Sequence, residues 1–186
     1  MKTTHVRIMT ALFCTLAIGF FLSTTVQAAT RAEIDASVKA AKDRFVKDVK
    51  GAGEYLKIAK GMLVMPNITK AGFLVGGQYG TGALQINGTT VDYYSLAGAS
   101  FGFQAGAEKF DMIILFITDE ALNKFRNSKG WEAGVDAEVT MIKAGADVSL
   151  ETLRSQSPVV GFVIDQKGLM GGVSVKGSKF TVTQPK

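Results

Sequence analysis

The 186-residue chain predicts an α+β domain in which a long N-terminal amphipathic helix packs on a glycine-rich, mostly antiparallel β-sheet or partial barrel, with one short additional helix. Three observations carry this reading. Apolar residues recur every three or four positions from Thr30 to Lys60, beyond Gly61 the period shortens to two, and most of the 21 glycines fall among the strand-like segments. One helical stretch followed by many strands argues against alternating βαβ units.

Residues 1 to 28 stand apart from that domain. Lys2 and Arg7 precede an apolar run from Ile8 to Leu22, and Val26-Gln27-Ala28 closes the segment with small residues. This is the anatomy of a cleavable secretory signal peptide, cut after Ala28 and leaving 29–186 as a single domain that is periplasmic or secreted. The run is shorter than the roughly 20 residues a spanning helix needs. Cys14, the only cysteine, and His5, the only histidine, both lie in this segment. Cys14 follows Ala11, Leu12 and Phe13 in the middle of the run, whereas a lipoprotein signal places small residues before its cysteine at the end. A mature domain without thiol or imidazole excludes Cys/His zinc sites, Ser-His-Asp triads, cysteine nucleophiles and disulfides. Carboxylate chemistry, Ser/Lys nucleophiles and oxygen-ligand cation sites survive that exclusion, but no motif speaks for a hydrolase that uses them, and the expectation is a protein that is not an enzyme and carries no cofactor or metal.

The elements follow in chain order. Ile34, Val38, Ala41, Phe45, Val49, Ala52, Leu56 and Ala59 form one helical stripe, Thr30 with Glu33 makes a capping box, and Gly61 ends the run. Gly51 and Gly53 weaken the middle by about 1 kcal/mol each relative to alanine, so a bend is expected there. Met62–Pro66, Ala71–Gly80, Gly82–Ile86 and Val91–Glu108 read as strands, with Asn87-Gly88 as a hairpin signal. Phe110–Thr118 is a continuous apolar run, expected to be a strand buried on both faces. Thr118 then caps a short helix, Asp119–Asn127, with acids in its first turn and Lys124 and Arg126 in its last. Further strands are expected at Gly134–Lys143, Val159–Asp165, Gly168–Val175 and Lys179–Thr183, with the stretch between Ile142 and Ser157 irregular.

Several motifs invite chemistry and have plainer explanations. Gly76, Gly77, Gly80 and Gly82 match neither G-x-G-x-x-G nor a P-loop, because Leu84–Ile86 continue as strand. Asp136 and Glu138 would share one strand face as an acid/base or cation-binding pair, but a solvent-facing strand alternates in the same way. Gly98, Gly102 and Gly106 leave one strand face nearly bare, open to tight internal packing or to a ligand.

Charge is concentrated rather than large. Without residues 1 to 28 the net charge falls from +5 to +3, too small to announce a nucleic-acid partner. From Lys39 to Lys60 seven basic residues face three acids, more net charge than the whole mature domain carries. With Ile34 at zero, the apolar stripe lies at about 340° to 60°, and Lys39, Lys50 and Lys57 fall near 140° to 160°. Lys47 is beside them and Lys42 and Lys60 lie on one border. Such a face is either a solvated helix surface or a membrane-surface contact. Trp131, close to Lys124, Arg126 and Lys129, reads either as an interfacial aromatic or as a core residue.

Longer stretches resemble a known family. Ala59–Leu84 (AKGMLVMPNITKAGFLVGGQYGTGAL), Phe101–Phe125 (FGFQAGAEKFDMIILFITDEALNKF), Gly130–Val139 (GWEAGVDAEV) and Lys167–Gly177 (KGLMGGVSVKG) together resemble the SYLF lipid-binding domain family. The similarity runs from about Arg31 to near the C-terminus. It implies a non-enzymatic domain that binds membranes, with eukaryotic relatives binding phosphoinositides and some also actin, through a basic amphipathic N-terminal helix. Here Lys39, Lys42, Arg44, Lys47 and Lys50 occupy such a helix, and with Lys57 and Trp131 they are the candidate lipid-binding residues. For an exported member the implied ligand is an anionic phospholipid of the cell envelope. The family's Tyr-Ser-Arg-type stretch is replaced here by Val163, Ile164, Asp165 and Gln166, and Asp165 places negative charge where an arginine would assist a head group. The competing reading is an envelope protein-interaction module that docks a partner on the glycine-rich strand face or a sheet edge.

Overall fold

The computed structural model describes residues 29–143, 150–151, 157–168 and 175–186. The expected signal segment, and most of the expected strand Gly168–Val175, lie outside the described residues.

The N-terminal stripe folds as two helices, α1 (Arg31–Asp48) and α2 (Ala52–Ile58), where one bent helix was expected. Thr30 caps α1 as predicted: its Oγ1 accepts from the Glu33 amide at 3.3 Å and the Glu33 carboxylate accepts from the Thr30 amide at 2.7 Å. That contact holds the Glu33 carboxyl below its ordinary pKa. The chain leaves the helix at Val49, and Gly51 takes a left-handed conformation (φ +81°) that a side chain would strain. The glycine therefore breaks the helix instead of bending it.

Strands β1 (Gly61–Ile86) and β2 (Thr89–Phe116) form one long antiparallel hairpin that absorbs five segments read separately from sequence. Asn87 (φ 51°) and Gly88 (φ 79°) make the turn, and positive φ at both positions is the type I′ geometry matching strand twist. Register shifts at Met65/Ile68, Gly72/Leu74 and Leu84/Gln85 let the hairpin continue through Pro66 and the glycines. β1 curls back on itself: a Cβ on Gly82 would lie 2.0 Å from the Val64 carbonyl oxygen. Backbone packs on backbone at Gly82, and Gly76, Gly77, Gly80 and Gly82 all lie within the one strand β1 and not in a phosphate loop.

The other edge of β2 is shared. Its C-terminal part, Glu108–Phe116, pairs with β5 (Val159–Gly168), and Tyr93–Gly98 pair with β6 (Ser178–Thr183). The short β3 (Trp131–Glu132) adds to β6. β4 (Thr140–Lys143) runs parallel to β5, while the other pairings among the described strands are antiparallel. Helix α3 (Asp119–Asn127) has its predicted bounds, with Thr118 Oγ1 accepting from the Ala121 amide.

Both faces of the curled sheet are covered around Phe110–Ile117, as the continuous apolar run predicted. Ile34, Val38, Ala41 and Phe45 of α1 pack on Met62, Val64, Ile113, Leu115 and Phe162. The opposite face buries Leu63, Met65, Met112, Ile114 and Phe116 beneath α3 and the Trp131–Phe180 aromatic group. Leu56 is half-buried at the rim of the first cluster.

The expected strand Gly134–Lys143 is corrected: it starts only at Thr140. Gly134 adopts φ +85°, and the Asp136 carboxylate accepts from the Glu132 amide at 2.6 Å, closing a turn. Asp136 and Glu138 therefore share no strand face. Glu138 is exposed and lies 4.0 Å from Lys176.

Candidate membrane-facing site

Helix α1 is fixed along both borders, which determines what its outer face presents. Near its start, Asp35 accepts from Tyr93 Oη at 2.9 Å and from Thr90 Oγ1 at 3.2 Å. Arg31 sits over the Tyr93 ring, and its Nε donates to the Pro185 carbonyl at 3.1 Å, tying the C-terminus to the helix. Near the end of α1, Arg44 reaches the buried Asp111 on β2. The outward side then carries Lys39, Val46, Lys47 and, after the helix, Lys50, all exposed. Lys39 pairs with Asp43 at 2.8 Å, and Lys57 on α2 pairs with Glu54 at 2.7 Å. Exposed pairs of this kind are worth little and open readily to a competing anion.

Two predicted site residues are not on that face. Arg44 is half-buried, with both Nε and Nη2 on Asp111 Oδ2 at 2.8 and 2.6 Å. At about 280° on the helical wheel it falls on the border opposite Lys42, a signal that grouping it with the lysines ignored. Trp131 is 1% exposed, edge-on to Phe125 at 5.4 Å and against Phe180 at 5.6 Å. The neighbouring basic residues suggested an interfacial ring, but the aromatic cluster claims it.

The helix break brings together residues that one continuous helix would have spaced along a stripe. Lys42 of α1, Lys57 of α2 and Lys60 line a cleft of about 200 Å³ with Gln85, Asn87 and Gly88 at the end of the β1–β2 hairpin. Gln85 and Asn87 were not singled out in the sequence, because only the folded hairpin places them beside the helices.

The glycine-bare face is filled where it is described. A Cβ on Gly98 would lie 3.0 Å from Gln78 Nε2 and 3.3 Å from Ser178 Cα, and Gln78 Nε2 donates to Ser178 Oγ at 2.6 Å. Tight internal packing accounts for Gly98. The side chains of 100–106 lie outside the description. No helix among the described residues is long and apolar enough to cross a membrane.

The fold and the lysine face together define an α+β protein with a basic helical surface on a curled sheet. Residues 97–186 match the Ysc84 family, described as "Las17-binding protein actin regulator", and the chain belongs to this Ysc84/SYLF family. LAS seventeen-binding protein 3 of Saccharomyces cerevisiae is 30% identical over 132 residues, covering 67% of this chain and 28% of the yeast protein. Protein YSC84 of the same yeast is 31% identical over 130 residues, 66% of this chain and 28% of that protein. SH3 domain-containing YSC84-like protein 1 of Homo sapiens is 27% identical over 125 residues, 64% of this chain and 36% of the human protein. The chain thus spans about a third or less of the length of these curated relatives.

Proposed function

We propose that this protein is a non-enzymatic domain that binds anionic phospholipid at a membrane surface of the cell envelope, after export and loss of residues 1–28. The observation that carries the reading is the exposure of Lys39, Lys47, Lys50 and Lys57 on the α1–α2 surface, while the apolar side of both helices is committed to the sheet. Such a surface attracts head groups by charge, each lysine contributing about 1 kcal/mol near an anionic leaflet. Exposed Val46 lies between these lysines and adds an apolar contact at the same face. The test is flotation of the purified protein with zwitterionic and anionic vesicles across a salt series. Binding only to anionic vesicles, and lost as salt rises, is the expected result. Equal flotation with both vesicle types at every salt concentration refutes it. A mass lacking residues 1–28 in the exported protein tests the processing.

A second reading has its own observation. On the β1–β2 hairpin Tyr79 is 60% exposed beside its exposed register partner Ala97, and Ala97 in turn pairs with exposed Lys179. An exposed row of this kind suits a protein partner, and the name of the yeast LAS seventeen-binding protein 3 records one for that protein. Tyr79→Glu would abolish such docking and leave vesicle binding intact.

A further inference from the structure

We propose that the groove between the first turns of α1 and the two limbs of curled β1 binds the ring of an uncharged sugar, a pyranose that is either free or a unit of a glycan. The groove lies at the opposite end of α1 from Lys47, and the proposal stands apart from the membrane-surface reading.

The curl of β1 builds the groove. Gly80 packs so closely on Ile68 that a Cβ there would lie 2.9 Å from Ile68 Cγ1, and this contact brings 66–69 beside 79–81. Between these limbs and α1 there remains a space of about 200 Å³. Ile34 and Pro66, both buried, give it an apolar floor. Tyr79 lines its side and is 60% exposed, an aromatic face left in water. Asn67 and Thr69 from one limb and exposed or half-buried Thr81 from the other add a carboxamide and two hydroxyls, and these side chains make no hydrogen bond among the described residues. Glu33 lines the same groove. Its capping contacts with Thr30 both fall on Oε2, so Oε1 is left to accept from a ligand.

This set of groups selects by charge and by shape. No lysine or arginine is among the described residues that line the groove, so a phosphate or carboxylate would meet Glu33 without a compensating cation. Hydroxyls, which donate and accept, match the carboxamide, the threonines and the carboxylate together. An alkyl chain would desolvate those polar groups and pair none of them. A pyranose carries both complements on one rigid body: a face of C–H bonds to pack on Tyr79 and the floor, and a rim of hydroxyls. An acyclic polyol has the hydroxyls without the rigid face and loses more chain freedom on binding.

The test is NMR titration of the purified protein with glucose, galactose, mannose and N-acetylglucosamine, with sorbitol and inorganic phosphate as controls, alongside retention on amylose and chitin beads. At least one of the four sugars should bind with a Kd of about 1 to 10 mM, as suits a single small ring, shifting the Asn67 side-chain amide and the Tyr79 ring, with sorbitol and phosphate weaker by about tenfold or more. Tyr79→Ala should weaken that binding about tenfold, as should Thr69→Val combined with Thr81→Val, while Tyr79→Phe keeps most of it. Melting temperatures of these variants should stay near that of the parent, since Tyr79 and Thr69 are exposed and Thr81 is only half-buried. Lys39→Gln should leave sugar affinity unchanged. If none of the four sugars shifts these signals at about 100 mM, or if sorbitol binds as tightly as the best of them, the proposal falls and the membrane reading stands. Sugar binding that survives both Tyr79→Ala and the paired threonine variant overturns the groove as the site. Bead retention that Tyr79→Ala abolishes identifies a glycan as the source of the ring; binding of free sugar without retention identifies a soluble sugar. Sugar binding in a protein that floats with no vesicle removes the membrane reading alone.

Discussion

Arg44 on α1 donates through Nε and Nη2 to one oxygen of Asp111, at 2.8 and 2.6 Å, while the other oxygen of that carboxylate accepts from the Asn67 amide at 2.9 Å. Asn67 has φ 51° and sits at the register shift of β1. One buried carboxylate thus holds the helix to the sheet and closes a bulge in the neighbouring strand. Arg44→Ala would leave Asp111 buried without its cation. Because Arg44 is partly exposed, the cost should be about 2 to 3 kcal/mol, below the full penalty for breaking a buried pair. Denaturant melts should show the loss, while vesicle binding of the folded fraction stays unchanged. Reduced binding without reduced stability would return Arg44 to the lipid-binding face.

The lysine face makes the opposite prediction. Reversing Lys39, Lys47, Lys50 and Lys57 to Glu should leave the far-UV spectrum and melting temperature near those of the parent, since all four are exposed. Four contacts at about 1 kcal/mol each correspond to roughly a thousandfold in affinity for anionic vesicles, before repulsion is counted. High salt should imitate the variant, because the attraction decays within about 10 Å at 0.1 M. If the folded variant floats as the parent does, the helix is a solvated face, and the Tyr79 sheet face becomes the surface to test.

Two glycines should respond in opposite directions. Gly82→Ala places a Cβ 2.0 Å from the Val64 carbonyl oxygen and 2.9 Å from Met65 Cα, backbone atoms that cannot yield unless the curl of β1 opens. Expression of folded protein should drop sharply, with destabilisation above about 4 kcal/mol. Gly53→Ala meets nothing within 4 Å on α2 and should raise stability by up to about 1 kcal/mol. Thermal melts of both variants decide the matter.

Alkaline stability should report on Tyr94. Burial, with the nearby Asp92 charge, pushes its hydroxyl up to about 12 from the ordinary value of 10, against the smaller opposing effect of Arg126. The folded state therefore keeps the phenol proton over a range in which the unfolded chain has lost it. The stabilisation is complete below about pH 10 and declines as pH rises to about 12, a change of about 3 kcal/mol. Tyr94→Phe should flatten this limb relative to the parent, the comparison cancelling lysine titration common to both. Parallel urea melts from pH 9 to 11.5 test it, and identical slopes would show that Tyr94 ionises freely in the fold.

What the residues determined by themselves is local. The Thr30–Glu33 capping box, the Asn87-Gly88 turn, the bounds of Asp119–Asn127 and the double-sided burial of Phe110–Ile117 each depend on neighbours a few positions apart. Periodicity and capping chemistry act at that range. The tertiary structure decided everything that depends on which segments meet. Arg44 became an anchor because Asp111, 67 positions away, is buried beneath it. Trp131 joined the core because Phe125 and Phe180 converge on it, although its sequence neighbours are basic. The strand segments of the hairpin fused because bulges let the ladder run through Pro66 and the glycines, a tolerance that propensity cannot register. The cleft of Lys42, Lys57 and Lys60 exists only because Gly51 turns the chain between two helices and the hairpin tip closes the gap. A charge pattern on a helical wheel states which residues share a face, but the sheet determines which remain available to a ligand.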